Sequence, residues 1–178
     1  GLGVLYDMKK DVPGAIMNFE KALRIDPLNI KVYYSLGNLY YRAKRYADAA
    51  HHYELLIRLN PKDLDAYMQW SGIHMKDNRP KEAITVLNRA LSEGISDTSL
   101  YLALGYAYGA DSRDTEALKY YKTALEMSPD SALVHFHLGA YYDKMKERPL
   151  SESELKEAIR LDPKFSDAYN YLGYMYAE

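Results

Sequence analysis

One spacing recurs along this chain of 178 residues. Glycine repeats at intervals of 34 residues or twice that number, at Gly3, Gly37, Gly105, Gly139 and Gly173. Proline and tyrosine keep the same interval, at Pro27, Pro61, Pro129 and Pro163 and at Tyr6, Tyr40, Tyr108, Tyr142 and Tyr176. All three series skip one unit, in which Ser71, Ile95 and His74 occupy the corresponding places. A shared period with a shared gap indicates an internal repeat, and a period of this length is typical of stacked supersecondary units.

Each repeat is predicted to contain two helices. Over residues 30–43 the apolar side chains lie three or four residues apart, which places them on one face of a first helix. A second helix follows Lys44 and Arg45 and ends at Pro61, because proline cannot continue a helix. We expect the two helices to approach closely where Gly37 faces Ala49, since both residues are small.

Proline and glycine mark the helix ends of the other repeats. The second helix opens with a proline at Pro13, Pro80 and Pro149, where the missing N–H costs nothing. In the unit that lacks the proline stop, Gly94 predicts a left-handed helix cap.

Composition excludes several classes of protein. The chain has no cysteine, so it has no disulfide framework, thiolate zinc site or cysteine nucleophile. Its 23 basic and 25 acidic residues leave a net charge of −2, which argues against a nucleic-acid-binding role. No apolar run approaches the roughly 18 residues that a membrane-spanning helix needs, so we predict no membrane insertion.

The repeat resembles the tetratricopeptide repeat, a helix–turn–helix unit of the same length. When each glycine is numbered as position 8 of its unit, the unit at 98–131 carries every residue that the family favours: Tyr101, Leu104, Gly105, Tyr108, Ala117, Tyr121, Ala124 and Pro129. The unit at 64–97 departs most, with Trp70, Ser71, His74, Leu87 and Ile95. The resemblance covers the whole chain and implies an all-α fold, a right-handed superhelical solenoid of antiparallel helix pairs.

The same numbering divides the chain into repeats. A single array over residues 1–178 would contain full repeats at 30–63, 64–97, 98–131 and 132–165 and partial repeats at 1–29 and 166–178. Because the chain enters and leaves in the middle of a repeat, we expect it to be a fragment of a longer protein. The stretch from Pro163 to Tyr174 resembles bacterial members of the family, some of them exported, so the compartment stays open between cytoplasm and envelope.

The histidines do not form a metal site in this pattern. His51 and His52 would diverge by roughly 100° on a helix, and His135 and His137 by roughly 200°. The adjacent pair is expected on the solvated surface, and His74 as a packed imidazole in a tyrosine slot. Zinc-protease, phosphate-loop and nucleophile-elbow motifs are absent from the sequence. We therefore predict no catalytic residue, no metal ligand, no cofactor and no enzymatic activity.

The resemblance also implies where a partner binds. Positions 2, 5, 9 and 12 of the first helices line a concave groove in the family. The candidate groove residues of this chain are Lys31, Tyr34, Asn38, Tyr41, Met68, Met75, Leu102, Tyr106, Phe136 and Tyr174. Position 5 alone forms an apolar stripe of Tyr34, Met68, Leu102 and Phe136, and such exposed stripes mark partner sites.

Two groove types known in the family do not fit. In the clamp that binds a carboxylate, Asn38 matches, but Tyr34, Gln69, Ser99 and Ala103 stand where polar and cationic residues are required. The asparagine ladder of the glycosyltransferase type is also missing.

The predicted function is therefore a scaffold that binds a peptide or helical segment of another protein in its groove. One alternative is a groove partly filled by its own side chains, with Tyr106 or Tyr174 leaning on neighbouring helices. A second is a structural module that associates with itself through uncapped terminal helices. A third is the recruiting arm of a catalytic domain outside this sequence.

Overall fold

The computed structural model describes residues 11–177, and every regular element between these residues is an α-helix. The chain divides into two compact units, Gly1–Ile95 and Ser96–Glu178. The helices of the first unit are α1 (Val12–Ile25), α2 (Ile30–Arg42), α3 (Tyr46–Leu59), α4 (Leu64–Lys76) and α5 (Pro80–Ser92). Those of the second are α6 (Thr98–Ala110), α7 (Asp114–Met127), α8 (Ala132–Lys144), α9 (Arg148–Leu161) and α10 (Ser166–Ala177). The predicted all-α fold is confirmed; Gly3 and Tyr6 lie outside the described residues.

The helices begin at the interval seen in the sequence. First helices begin at residues 30, 64, 98, 132 and 166, and second helices at 12, 46, 80, 114 and 148. Within each unit every helix packs against the next along the chain, and α6 also contacts α8. Each short turn reverses the chain, so the pairs are antiparallel hairpins.

Most first helices are capped by a side chain, and most second helices have a proline in their first turn. Asn29, Asp63, Asp97 and Ser131 cap the first helices, each accepting a backbone N–H of the first turn. A short polar side chain does this well because the first N–H groups of a helix have no partner within it. Three second helices have a proline in their first turn, as predicted: α1, α5 and α9. Of these, α1 also has a side-chain cap, because Asp11 accepts from the N–H of Gly14.

The turn inside each hairpin uses a left-handed residue. Lys44, Asn78, Ser112 and Lys146 have φ angles of 60°, 54°, 59° and 63°, although none of them is glycine. In each turn the next N–H bonds back to a carbonyl of the first helix, as from Arg45 to Tyr40 at 2.8 Å. This is the Schellman arrangement that satisfies the last carbonyls of a helix. The predicted left-handed cap at Gly94 is also confirmed, with φ of 78°.

The hairpin core places a large side chain against glycine. A Cβ atom added at Gly37 would lie 2.7 Å from the ring of Tyr53, and one at Gly105 would lie 2.9 Å from the ring of Tyr121. The ring of Tyr53 is thus the nearest neighbour of Gly37. The expected approach to Ala49, which is also buried, stays a prediction. In the unit without the glycine, both members of the pair differ, and Ser71 and Leu87 are both buried.

We expect Gly37→Ala to lower the free energy of unfolding by about 1–3 kcal/mol, because the new methyl group overlaps the buried ring of Tyr53. Gly72→Ala is the matched control, since a Cβ there meets no atom within 4 Å. That change should raise the free energy of unfolding by about 0.5–1 kcal/mol through helix propensity. Urea unfolding followed by circular dichroism measures both. Similar effects of the two changes would contradict the ring contact.

Candidate functional site

A cavity of about 340 Å³ opens in the second unit. Its walls come from α6 and α8, and Tyr121 of α7 contributes as well. The lining residues are Tyr106, Gly109, Ala110, Tyr121, His137, Ala140, Tyr141 and Lys144. We call this cavity the Gly109 pocket. Its volume is at the lower end of the range for ligand sites and is enough for one large side chain.

Gly109 and Tyr141 determine the shape of the pocket. A Cβ atom added at Gly109 would lie 2.5 Å from Cε2 of Tyr141, so the tyrosine ring rests directly on the backbone of α6. The hydroxyl of Tyr141 donates to Oδ1 of Asp114 at 2.5 Å, and its ring centroid lies 5.1 Å from that of Tyr121. Burial and the Asp114 carboxylate both raise the pKa of Tyr141. The phenol therefore stays protonated, and the wall is held in place before any ligand arrives.

Lys144 supplies positive charge at this pocket. Its ammonium group donates to the carbonyl oxygen of Gly109 and lies 5.3 Å from the ring centroid of Tyr141. Lys144 forms no ion pair with any residue between 11 and 177. An ammonium group has three donors, so Lys144 can still bind an acceptor.

The two histidines of α8 have different surroundings. His135 is buried, with Nδ1 2.6 Å from Oε2 of Glu154 and Nε2 2.8 Å from the carbonyl oxygen of Pro129. His137 is half-buried in the wall of the Gly109 pocket, and desolvation lowers its pKa below 6.5. His137 is therefore neutral at pH 7 and contributes a largely uncharged wall.

The predicted groove residues of the second unit differ in exposure. Tyr106 is 60% exposed at the pocket, and Tyr174 on α10 is 75% exposed. Phe136 is half-buried, and its ring centroid lies 5.1 Å from that of Phe165 and 6.0 Å from that of Tyr171. Self-filling therefore occurs at Phe136, while Tyr106 and Tyr174, where the sequence suggested it, are open to solvent.

In the first unit two of the predicted groove residues, Tyr34 and Asn38, form hydrogen bonds within the unit. The hydroxyl of Tyr34 donates to Asp63, the cap of α4, and its ring meets that of Tyr53 edge-on. The hydroxyl of Tyr53 in turn donates to Oδ1 of Asn38 at 3.0 Å. Lys31 is exposed, and Met68, Met75 and, in the second unit, Leu102 are half-buried.

Tyr41, near the C-terminal end of α2, packs against an aromatic and a basic side chain. Tyr41 lies between Tyr46, at 5.6 Å between ring centroids, and Lys76, whose Nζ is 4.9 Å from the Tyr41 centroid. His52, expected on the solvated surface, is half-buried instead and stacks on Tyr40 at 5.3 Å. The ring of Tyr40 stacks on the imidazole of His52 and shields it from solvent.

Sequence reasoning missed Tyr141, His137 and Lys144. The available signal was Gly109, because position 12 carries Tyr41, Met75 and Asp143 in the other full repeats. A glycine there leaves room for a side chain from the next repeat. Tyr141 fills part of that room from position 10, where the other full repeats carry Leu39, Ile73 and Ala107.

Between residues 11 and 177 no group of three or more histidine, aspartate or glutamate side chains could hold a metal ion. None of the described helices is long and apolar enough to cross a membrane.

The lowered pKa of His137 predicts a pH effect on stability. The unfolded chain takes up a proton as the pH falls below 6.5, whereas folded His137 resists it. The stability contributed by this group is therefore complete above pH 6.5 and is lost as the pH falls through the window below. We expect His137→Asn to flatten the fall in unfolding free energy between pH 6.5 and 5. Titration of the His137 ring by NMR tests the cause, and a pKa at or above 6.5 would contradict it.

Comparison with known proteins identifies the repeat. Tetratricopeptide repeat models match residues 30–63 and 98–131, and a TPR repeat model matches residues 5–44. No curated protein sequence matches the chain.

Solved structures share the fold. The structure of MamA is 22% identical with a TM-score of 0.76, covering 94% of this chain and 98% of that one. TTC0263, a thermophilic TPR protein of Thermus thermophilus, is 21% identical with a TM-score of 0.75, covering 99% and 96%. YrrB, described as a TPR protein with an unusual peptide-binding site, is 24% identical with a TM-score of 0.71, covering 95% and 87%. The repeat pattern, the helix pairs and these matches together show that the chain belongs to the tetratricopeptide repeat family of protein-interaction scaffolds.

Proposed function

We propose that the first helices of this chain bind an extended or helical segment of another protein through apolar and aromatic side chains. The observation that carries the proposal is the Gly109 pocket with Tyr106 exposed beside it. An exposed tyrosine next to a preformed cavity is typical of an interface hot spot, since the ring is large and loses little freedom on binding.

The composition of the first helices supports the same proposal. Tyrosine, phenylalanine and methionine are enriched at interface cores, and Met68 and Met75 can adapt their shape to a partner. The structural likeness to YrrB agrees with peptide binding, because a peptide-binding site is part of that protein's description.

The predicted groove residues divide into two roles under this proposal. Tyr106 and Tyr174 are exposed enough to contact a partner directly. Tyr34 and Phe136 support the helices, because each already packs against rings of its own unit. Tyr41 and Leu102 are half-buried and belong to neither group.

Selection of random twelve-residue peptides displayed on phage against the immobilised chain would supply ligands. We expect Tyr106→Ala to weaken binding of the selected peptides about tenfold or more, as loss of a hot-spot tyrosine does. Fluorescence anisotropy of labelled peptides measures this change.

Leu150→Ala is the matched control, because Leu150 is 47% exposed but lies on the second helix α9. This variant should bind the peptides as the unchanged chain does. Peptides that bind Tyr106→Ala normally and lose affinity for Leu150→Ala would place binding on the second helices and overturn the proposal.

A further inference from the structure

We infer that the Gly109 pocket receives one apolar side chain of the partner while Lys144 pairs with a carboxylate next to that side chain. This inference rests on the proposed function and specifies its partner as an acidic segment with an apolar anchor. It concerns the second unit alone, where all the lining residues lie.

The lining of the pocket favours an apolar anchor. Tyr121 and Tyr141 present ring faces, and Gly109, Ala110 and Ala140 present backbone and methyl groups. The hydroxyl of Tyr141 already donates to Asp114 and does not demand a polar partner. An aromatic or branched aliphatic side chain would bury apolar surface here without leaving a polar group unpaired.

The charge at the pocket favours a carboxylate beside that anchor. Lys144 is the only lining residue that carries a charge at pH 7, since His137 is kept neutral by burial. Asp114 and Asp143 lie outside the pocket lining, and each accepts a hydrogen bond from a tyrosine hydroxyl, Asp114 from Tyr141 and Asp143 from Tyr171 at 2.9 Å. A cationic partner would be repelled by Lys144, whereas an anion could use its remaining donors.

The first unit contains the same lysine but a different surrounding. Lys76 and Lys144 both occupy position 13 of their repeats, and both reach back 35 residues to position 12 of the preceding repeat. In the first unit that position is Tyr41, and Nζ of Lys76 lies 3.4 Å from its hydroxyl and 5.5 Å from the ring centroid of Tyr46. Two rings therefore occupy the space beside Lys76. At Gly109 the ring of Tyr141 fills only part of the corresponding space, and the rest is the pocket that Lys144 lines. Lys144 is therefore available to a ligand.

Three small probes of equal ring size test the inference on the whole chain. They are 3-phenylpropionate, 3-phenylpropanamide and phenethylamine, and the backbone amide of Gly109 reports their binding in ¹H–¹⁵N NMR spectra. We expect 3-phenylpropionate to bind about two- to fivefold more tightly than its amide at low ionic strength, the size expected for a partly exposed ion pair. Phenethylamine should bind more weakly than either, and added salt should reduce the preference for the acid.

Lys144→Met keeps the apolar stem and removes the charge. In this variant the acid and the amide should bind equally. Lys122→Met is the matched control, because Lys122 is exposed on α7 and does not line the pocket. It should preserve the preference for the acid. The same spectra show whether each variant is folded.

Equal binding of acid and amide by the unchanged chain would overturn the inference, as would a preference that survives in Lys144→Met. Absence of any shift at Gly109 with all three probes would also overturn it.

These results are distinguishable from failure of the proposed function. If only the present inference fails, phage-selected peptides still depend on Tyr106 but carry no acidic residue near their apolar anchor and bind Lys144→Met normally. If the proposed function fails, the selected peptides are indifferent to Tyr106.

Discussion

A close contact between a glycine backbone and a large side chain, present in the hairpins α2–α3, α6–α7 and α8–α9, determines the rest of this structure. Gly37 lies under the ring of Tyr53, and Gly105 under the ring of Tyr121. Both rings are almost fully buried, at 1% and 3% exposure. The ring fixes the distance between the two helices, because neither the backbone on one side nor the packed ring on the other can yield. The helix caps and turns then set where each helix begins and ends, so that the glycine and the large side chain meet.

The glycine–tyrosine contact of the α6–α7 hairpin also contributes to the Gly109 pocket. Gly105 and Gly109 are four residues apart and therefore lie on one side of α6. Gly105 receives Tyr121 from the helix of its own repeat, and Gly109 receives Tyr141 from the repeat that follows. The two rings meet each other at 5.1 Å between centroids. Scaffold and pocket are thus continuous, because Tyr121 serves as the core of one hairpin and as part of the pocket lining at once.

Much of the fold was predictable from the spacing of a few residue types. The interval of 34 residues placed the repeats, and the prolines and Gly94 placed several helix ends, since these residues act locally on the backbone. The neighbour of Gly37 was not predictable in the same way. Residue types alone do not fix the packing angle that brings the ring at position 24 over the glycine at position 8.

The site was harder to predict because it depends on contacts between repeats. Position 10 of a repeat usually carries a buried apolar residue, so Tyr141 had the pattern of a core residue. Its hydroxyl bonds to Asp114, 27 residues earlier. At position 5 the side-chain contacts were the part that could not be predicted. The family resemblance predicts Tyr34 and Phe136 on a groove face, and the structure shows Tyr34 bonded to the cap residue Asp63 and Phe136 packed against Phe165. A pattern of residue types gives the face of a helix but not the rotamer.

Replacing left-handed turn residues with glycine would raise the stability of this protein. A lysine or serine side chain in that conformation costs about 1 kcal/mol that a glycine would not incur, and an asparagine costs less. None of Lys44, Asn78, Ser112 and Lys146 lines the Gly109 pocket, so stability can be added at the turns while the pocket residues stay unchanged. The hairpin turns are therefore the natural places to strengthen the scaffold when its binding face is redesigned, because the chain can then tolerate costly changes among the rings.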